Sequence, residues 1–205
     1  MSELYGLFDR DVFVKLIVCD LWVETLEVLG ITHPFRLASA SLRGCSRPIN
    51  RFEIEAAVKE RALESATKVI AKTPVIPFEW SVPAETTNFY RSTLHVGNID
   101  SGEAILTSIS LTLEKKNVLI TGDKRFIESM RRDFRVEFEE ISPRPISLEN
   151  CLLACMEHFG YDYVFSKVEP VQNCDGTLSI ACKSAIRGGQ AEFKKALESY
   201  NQLIT

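Results

Sequence analysis

A short apolar run that ends on an acidic turn and passes at once into helical spacing occurs twice in this 205-residue chain. Tyr5 to Phe8 runs into Asp9-Arg10-Asp11, after which Val12, Leu16, Cys19, Val23 and Leu26 recur at helical spacing as far as Gly30. Val118 to Ile120 runs through Thr121-Gly122 into Asp123, and Lys124 to Arg132 follows as a short basic helix. A strand that feeds a helix through a tight turn is the unit from which parallel sheets are built, and ligands bind outside the carboxyl ends of such strands. An Asp at both carboxyl ends therefore constrains fold and function together. The fold class expected is α/β, with a parallel central sheet flanked by helices and its chemistry at the carboxyl edge.

The remaining elements are assigned by periodicity and punctuation. Phe35 to Ser39 is expected as a second strand after His33-Pro34, and Arg51 to Lys72, rich in Ala, Glu, Lys and Arg, as a long, partly exposed helix. The proline-containing stretch 73–99 is expected to be mostly loop. Asp100-Ser101-Gly102-Glu103 opens a helix that Lys115-Lys116-Asn117 closes, acids first and lysines last as the helix dipole favours. Val136 to Ile141 alternates as a strand does, and Ser142-Pro143-Arg144-Pro145 marks a break. Beyond it the pattern predicts a helix from Ser147 to Phe159 ended by Gly160, strands at Asp162 to Val168 and Thr177 to Cys182, and a last helix from Gln190 to Leu203. The chain is accordingly divided at 140/141, into a domain over 1–140 and a small α+β C-terminal extension over 141–205 that either stands apart or packs on the same domain.

A chain with 45% hydrophobic and 25% charged residues can bury a core without staples. Its six cysteines form no CxxC pair and lie in apolar stretches, which reads as reduced core thiols; Cys151, Cys155 and His158 with Cys174 and Cys182 are the metal alternative. The net charge of -4 argues against a broad nucleic-acid patch but leaves room for a local groove. No apolar run approaches a bilayer span and Met1-Ser2-Glu3 lacks a cationic leader start, so a cytoplasmic protein without membrane attachment is expected. No GxGxxG follows an expected strand, which disfavours a dinucleotide binder.

The acids at element starts are Asp9 and Asp11, Asp100 and Glu103, and Asp123. A parallel sheet can bring all of them to one edge, where carboxylates repel and shift one another's protonation until a hard divalent cation relieves the cost. Mg2+ or Mn2+ takes such oxygen ligands, keeps waters and acidifies them for attack on a phosphodiester. Asp11, Asp100 and Asp123 are equally suited to cap a helix, so the ligand and cap readings stand side by side. Lys115, Lys116, Lys124, Arg125, Arg131, Arg132 and Arg135 form a basic cluster suited to phosphates, and Trp80, Phe89 and Tyr90 are candidates for stacking on unpaired bases, with Trp22 more at home in the core.

The runs Leu7-Phe8-Asp9-Arg10-Asp11-Val12-Phe13, Asp100-Ser101-Gly102-Glu103-Ala104 and Leu119-Ile120-Thr121-Gly122-Asp123-Lys124-Arg125-Phe126 resemble, in order, three acidic motifs of PIN-domain nucleases, over about residues 4–140. The resemblance implies a PIN-like parallel sheet whose acids bind Mg2+ or Mn2+ and cleave single-stranded RNA or structured nucleic acid. Carried onto this chain, it makes Asp9 the first ligand and Asp123 the last, with Asp11 beside the one and the Thr121 hydroxyl two residues before the other. Glu103 is preferred to Asp100 as the third acid on its spacing to Asp123. Lys124, Arg125 and Arg131 would hold the nucleic acid, RNA being favoured. A cognate inhibitor or antitoxin protein is a partner found in that family, and homo-oligomers are left open.

The chain departs from the family pattern where a Glu is usual on the helix after the second strand. Ala40-Ser41-Leu42-Arg43-Gly44-Cys45 holds no acid, and Glu53 and Glu55 are the nearest replacements. A catalytically silent PIN-like binding module is therefore an alternative. A haloacid-dehalogenase-like phosphatase is another, since Asp9-Arg10-Asp11 resembles its DxD motif, but Phe13 stands where that family has Thr or Val.

Overall fold

All four residues of strand β1, Tyr5–Phe8, are buried, as a strand covered on both faces requires. The structure, a computed structural model, describes residues 3–141 and 144–201. β1 lies between two parallel neighbours, β2 (His33–Arg36) and β3 (Asn117–Ile120), in the order β2-β1-β3. The register is flush: Tyr5 sits opposite His33 and Asn117, and Phe8 opposite Arg36 and Ile120. Single parallel bridges widen the sheet at both edges, Val75 beside Arg36 and Ile146 beside Ile120. The fold is mixed α/β, mostly helical, around this small parallel sheet.

After β1 come α1 (Arg10–Val18), α2 (Trp22–Val28), α3 (Leu42–Arg51) and α4 (Ala56–Lys72), with β2 between α2 and α3. They are followed by α5 (Phe78–Thr86), α6 (Asn88–Thr93) and α7 (Ser101–Thr112), then β3, α8 (Lys124–Asp133) and α9 (Arg135–Glu140). Last come α10 (Leu148–Phe159), α11 (Tyr161–Val168) and α12 (Gly176–Asn201). Alternate strand residues divide two cores, as a period of two demands. Phe8, Val118 and Ile120 join α1 to α4 and α10 to α12 on one face, while Leu7 and Leu119 join α5 to α9 on the other. Residues between Leu148 and Leu197 thus share a core with those between Phe8 and Ala66.

Several expected elements differ. The helix expected from Val12 to Leu29 is two, because Asp20 takes a left-handed conformation (φ 53°), which Asp tolerates, and ends the first turn-run before α2 begins. The second strand is shorter and earlier than Phe35 to Ser39, since Ala38–Ala40 turns into a 3-10 helix. The long helix expected from Arg51 begins at Ala56, and α3 before it is separate, capped by Ser41. Residues 73–99 are not mostly loop: α5 starts behind Pro77, and the Thr87 hydroxyl caps α6 by accepting the Tyr90 N–H.

The C-terminal region contains no strand among its described residues, only the Ile146 bridge to β3, which corrects the α+β extension to a helical one. Val136 to Ile141 lies largely in α9, where Arg135 pairs with Glu139 one turn on. Asp162 to Val168 belongs to α11, because Val164 and Val168 bury one face at i, i+4. Thr177 to Cys182 begins α12, whose Leu178, Ala181, Cys182 and Ala185 follow the helical period; the expected final helix is its second half, beyond a break at Gly188 and Gly189, and its end at Leu203 falls outside the described residues. The helix expected over Ser147 to Phe159 is present, with a capping box between Ser147 and Asn150. All six cysteines are free and buried. No helix among the described residues is long and apolar enough to cross a membrane.

Gly44 shows how tightly α3 is seated. A Cβ at this position would lie 1.8 Å from the Ser39 carbonyl oxygen, and that oxygen belongs to backbone that cannot swing aside. Gly44→Ala is expected to cost about 1–3 kcal/mol despite alanine's better helix propensity, measured by urea unfolding. An alanine variant as stable as the parent would show that α3 can lift from Ser39.

Candidate functional site

The flush register delivers successive chain segments to one place. Asp9 follows β1 directly, and its N–H donates to the Ile120 carbonyl at 2.9 Å, which fixes it against the end of β3. Its Oδ1 accepts the Arg10 N–H at 2.7 Å, so Asp9, rather than Asp11, caps α1. Asp123 follows β3 by three residues and caps α8, accepting the N–H groups of Arg125 at 2.8 Å and Phe126 at 3.3 Å. Between them Gly122 is closely packed, for a Cβ there would lie 3.2 Å from Val12. Asp100 caps α7 in a reciprocal box: its Oδ1 accepts the Glu103 N–H at 2.8 Å, and Glu103 Oε2 accepts the Asp100 N–H at 2.9 Å.

These acids line one solvent-open cleft of about 780 Å³ at the carboxyl edge of the sheet, together with Asp11, Lys124 and Arg125. A sixth acid, Asp175, which the sequence pattern does not single out, also lines it. It caps α12, accepting the Thr177 and Leu178 N–H groups, and its Oδ2 accepts Lys15 Nζ at 2.7 Å. Lys15 also holds Asp11 at 2.5 Å, so one half-buried ammonium ties α1 to the start of α12 beside the cleft. The sequence signal for Asp175 is the Asp-Gly-Thr of an N-terminal cap, which the expected strand at Thr177 concealed.

Burial and mutual repulsion set the protonation of the site. Burial raises the Asp9 carboxyl to about 6, with the charges of Asp11 and Asp100 adding to it against the opposing Arg10 N–H. Glu103, only 5% exposed, is raised to about 8, chiefly by burial and further by Asp100, Asp123 and Asp9. Burial would also raise Asp175, but the Lys15 charge and hydrogen bond outweigh it and hold this carboxyl low. Lys124 is lowered by burial against the pull of Glu149 and Asp175.

Other expected residues are placed elsewhere. Thr121 is buried and does not line the cleft, and its hydroxyl has no partner among the described residues. Arg131 lies over the Phe138 ring at 5.4 Å, away from the cleft, so α8 contributes only Lys124 and Arg125 to it. The wider basic cluster does not gather: Lys115 donates to the Tyr5 hydroxyl at the opposite end of β1, while Arg132 and Arg135 pair with Asp133 and Glu139. Trp22 packs on Phe8 and Phe13 in the core, and Trp80 packs on Phe35. Glu53 and Glu55 are exposed and outside the cleft, so no acid takes the place usual on the second helix.

The donors of the cleft are oxygens, a set that suits a hard divalent cation rather than zinc or iron–sulfur chemistry. They line the cleft, but among the described residues no three His, Cys, Asp or Glu side chains are arranged to hold a metal ion, in the cleft or in the alternative Cys and His set. Compared with protein-family models, curated proteins and solved structures, the chain matches none.

A carboxyl whose pKa is higher in the folded than in the unfolded chain binds its proton more tightly when folded, so its ionisation opposes folding. For Glu103 the resulting loss of stability sets in as pH rises from 4.5 towards about 8, and for Asp9 from 3.8 towards about 6. Glu103→Gln keeps the capping box, since Gln accepts at this position, and removes the charge. The variant is expected to be more stable than the parent by about 1–3 kcal/mol at alkaline pH, with the gap closing near the acid end of that window. Urea unfolding of both proteins across pH measures it, and a gap independent of pH would contradict the raised pKa.

Proposed function

We propose that the chain is a metal-dependent nuclease with a PIN-like fold, hydrolysing phosphodiester bonds of single-stranded or structured nucleic acid with Mg2+ or Mn2+. The observation that carries this reading is the meeting of Asp9, Asp100, Glu103 and Asp123 in one cleft at the carboxyl edge of a parallel sheet, where burial and mutual repulsion raise two of the four. Excess negative charge held out of water is the state a divalent cation relieves. The strand–Asp–helix unit, repeated on neighbouring strands in flush register, supports the PIN-like comparison.

Asp9, Glu103 and Asp123, with Asp100, would hold the ion, using carboxylate oxygens beyond those engaged as caps. When bound, the ion supplies the positive charge that acidifies a water and polarises the scissile phosphate. The protein's part is positional. The caps fix each carboxylate to a helix start, and burial of Glu103 keeps solvent from solvating its charge. Arg125, 75% exposed in its side chain, spans 3.3 Å to Asp123 Oδ2 and can exchange it for a phosphate oxygen, since an exposed pair of this kind is weak. Lys124 adds a second cation on the same rim.

The silent binding module keeps one specific support: Ala40 to Cys45 offer no acid, and Glu53 and Glu55 are exposed and do not line the cleft. Asp123→Asn separates the two readings, because Asn caps a helix as well as Asp does and the fold should survive. Labelled single-stranded RNA and DNA are incubated with parent and variant in Mn2+, in Mg2+ and in chelator. Metal-dependent cutting that falls at least about a hundredfold in the variant, at unchanged melting temperature, is the expected result. Normal cutting by the variant would sink the site, and no cutting together with no Mn2+ binding by calorimetry would favour the silent module.

A further inference from the structure

A basic groove adjoins the acidic cleft and is joined to it through Arg10, which lines both. α3 carries Arg43, Arg47 and Arg51 at four-residue intervals, so they rise from one face of the helix about 6 Å apart along its axis. All three are exposed, as is Arg10, and none forms an ion pair with a described residue. In a chain of net charge -4, four unpaired arginines along one path are a local reversal of sign. The groove consists of two adjoining depressions, one between Ser39, Arg43 and Arg47 and the other between Arg47, Arg51 and Phe52, the latter also lined by Asp11, whose charge is paired with Lys15. Gly44 lines both and contributes backbone alone, since any side chain there would collide with the Ser39 carbonyl.

We propose that this groove binds the backbone phosphates of single-stranded nucleic acid and leads the strand past Arg10 into the acidic cleft. The occupant follows from charge complementarity and continuity. Guanidinium groups grip phosphate in a planar fork, and their spacing along α3 is close to that of successive phosphates in an extended strand. The half-buried ring of Phe52, packed against the core, lines the far end of the groove, where an unpaired base can reach it and a base stacked inside a duplex cannot. α3 carries no acid and contributes only positive charge to this face, through Arg43, Arg47 and Arg51. The direction of the strand rests on the nuclease reading, whereas its binding does not.

The test measures binding without cleavage. Short fluorescent single-stranded RNA and DNA oligonucleotides are titrated with the intact chain in chelator, by anisotropy, over a series of salt concentrations. The triple variant Arg43→Ala, Arg47→Ala, Arg51→Ala is expected to bind at least about tenfold more weakly at low salt, and its log–log salt slope to fall by about 2, at roughly 0.7 per phosphate contact. A charge-matched control, Lys183→Ala, Arg187→Ala, Lys195→Ala on exposed positions of α12, is expected to bind as the parent does. Circular dichroism melts establish that both variants fold. Unchanged binding in the α3 variant, an equal loss in the control, or no binding by the intact chain overturns the proposal. Binding that depends on α3 in a protein that never cuts supports the groove and counts against catalysis alone.

Discussion

Parallel pairing on both edges of β1 sets Phe8, Arg36 and Ile120 side by side, so the chain leaves the sheet at one level from three strands at once. Whatever residues come next must share one edge. Here they include Asp9 after β1, Leu37 to Ser39 after β2, and Gly122 to Lys124 after β3, and all of these line the same cleft. A slip of one residue in either pairing would invert the alternation that sends Leu7 and Leu119 to one core and Phe8 and Ile120 to the other. The two cores therefore hold the register, and the register holds the acids together.

Capping accounts for where the carboxylates sit but not for how many there are. Ser, Thr and Asn cap as well as Asp and bring no charge, and this chain uses Ser41, Thr87 and Ser147 for that purpose elsewhere. Around the cleft it uses Asp at four helix starts, Asp9, Asp100, Asp123 and Asp175, and adds Glu103 in a buried place. Attraction to a helix N-terminus is worth about 0.3–1 kcal/mol for each charge, less than the repulsion and burial that push Glu103 to about 8. Neutral caps at these positions would avoid that cost.

The strand–Asp–helix units were legible because each is local: a buried run of four residues, a turn, then helical spacing. The same locality failed at Thr177 to Cys182 and Asp162 to Val168, where short apolar stretches fit both periods and only packing against α10 decides for helix. That error hid Asp175, whose cap exists only if a helix begins there. Proline misled in the opposite direction over 73–99, since Pro77 stands before a helix rather than ending one. The basic face of α3 is not legible in the pattern, because Gly44 and Pro48 interrupt the helical signal and leave Arg43 and Arg47 without a shared face until the helix is seen to run from Leu42.

The Lys15 to Asp175 ion pair joins residues 160 apart in the sequence. A ribosome extends the chain from its amino end at about 5–20 residues per second, so β1 and α1 emerge many seconds before the residue that satisfies their lysine. Until then Asp11 is the lysine's partner close at hand, one helical turn before it. The nascent protein accordingly carries the acids Asp9, Asp100, Glu103 and Asp123 well before the wall of the cleft that Asp175 and Thr177 provide. Completion of the cleft thus waits on Asp175 and Thr177, long after the first of its acids has been made.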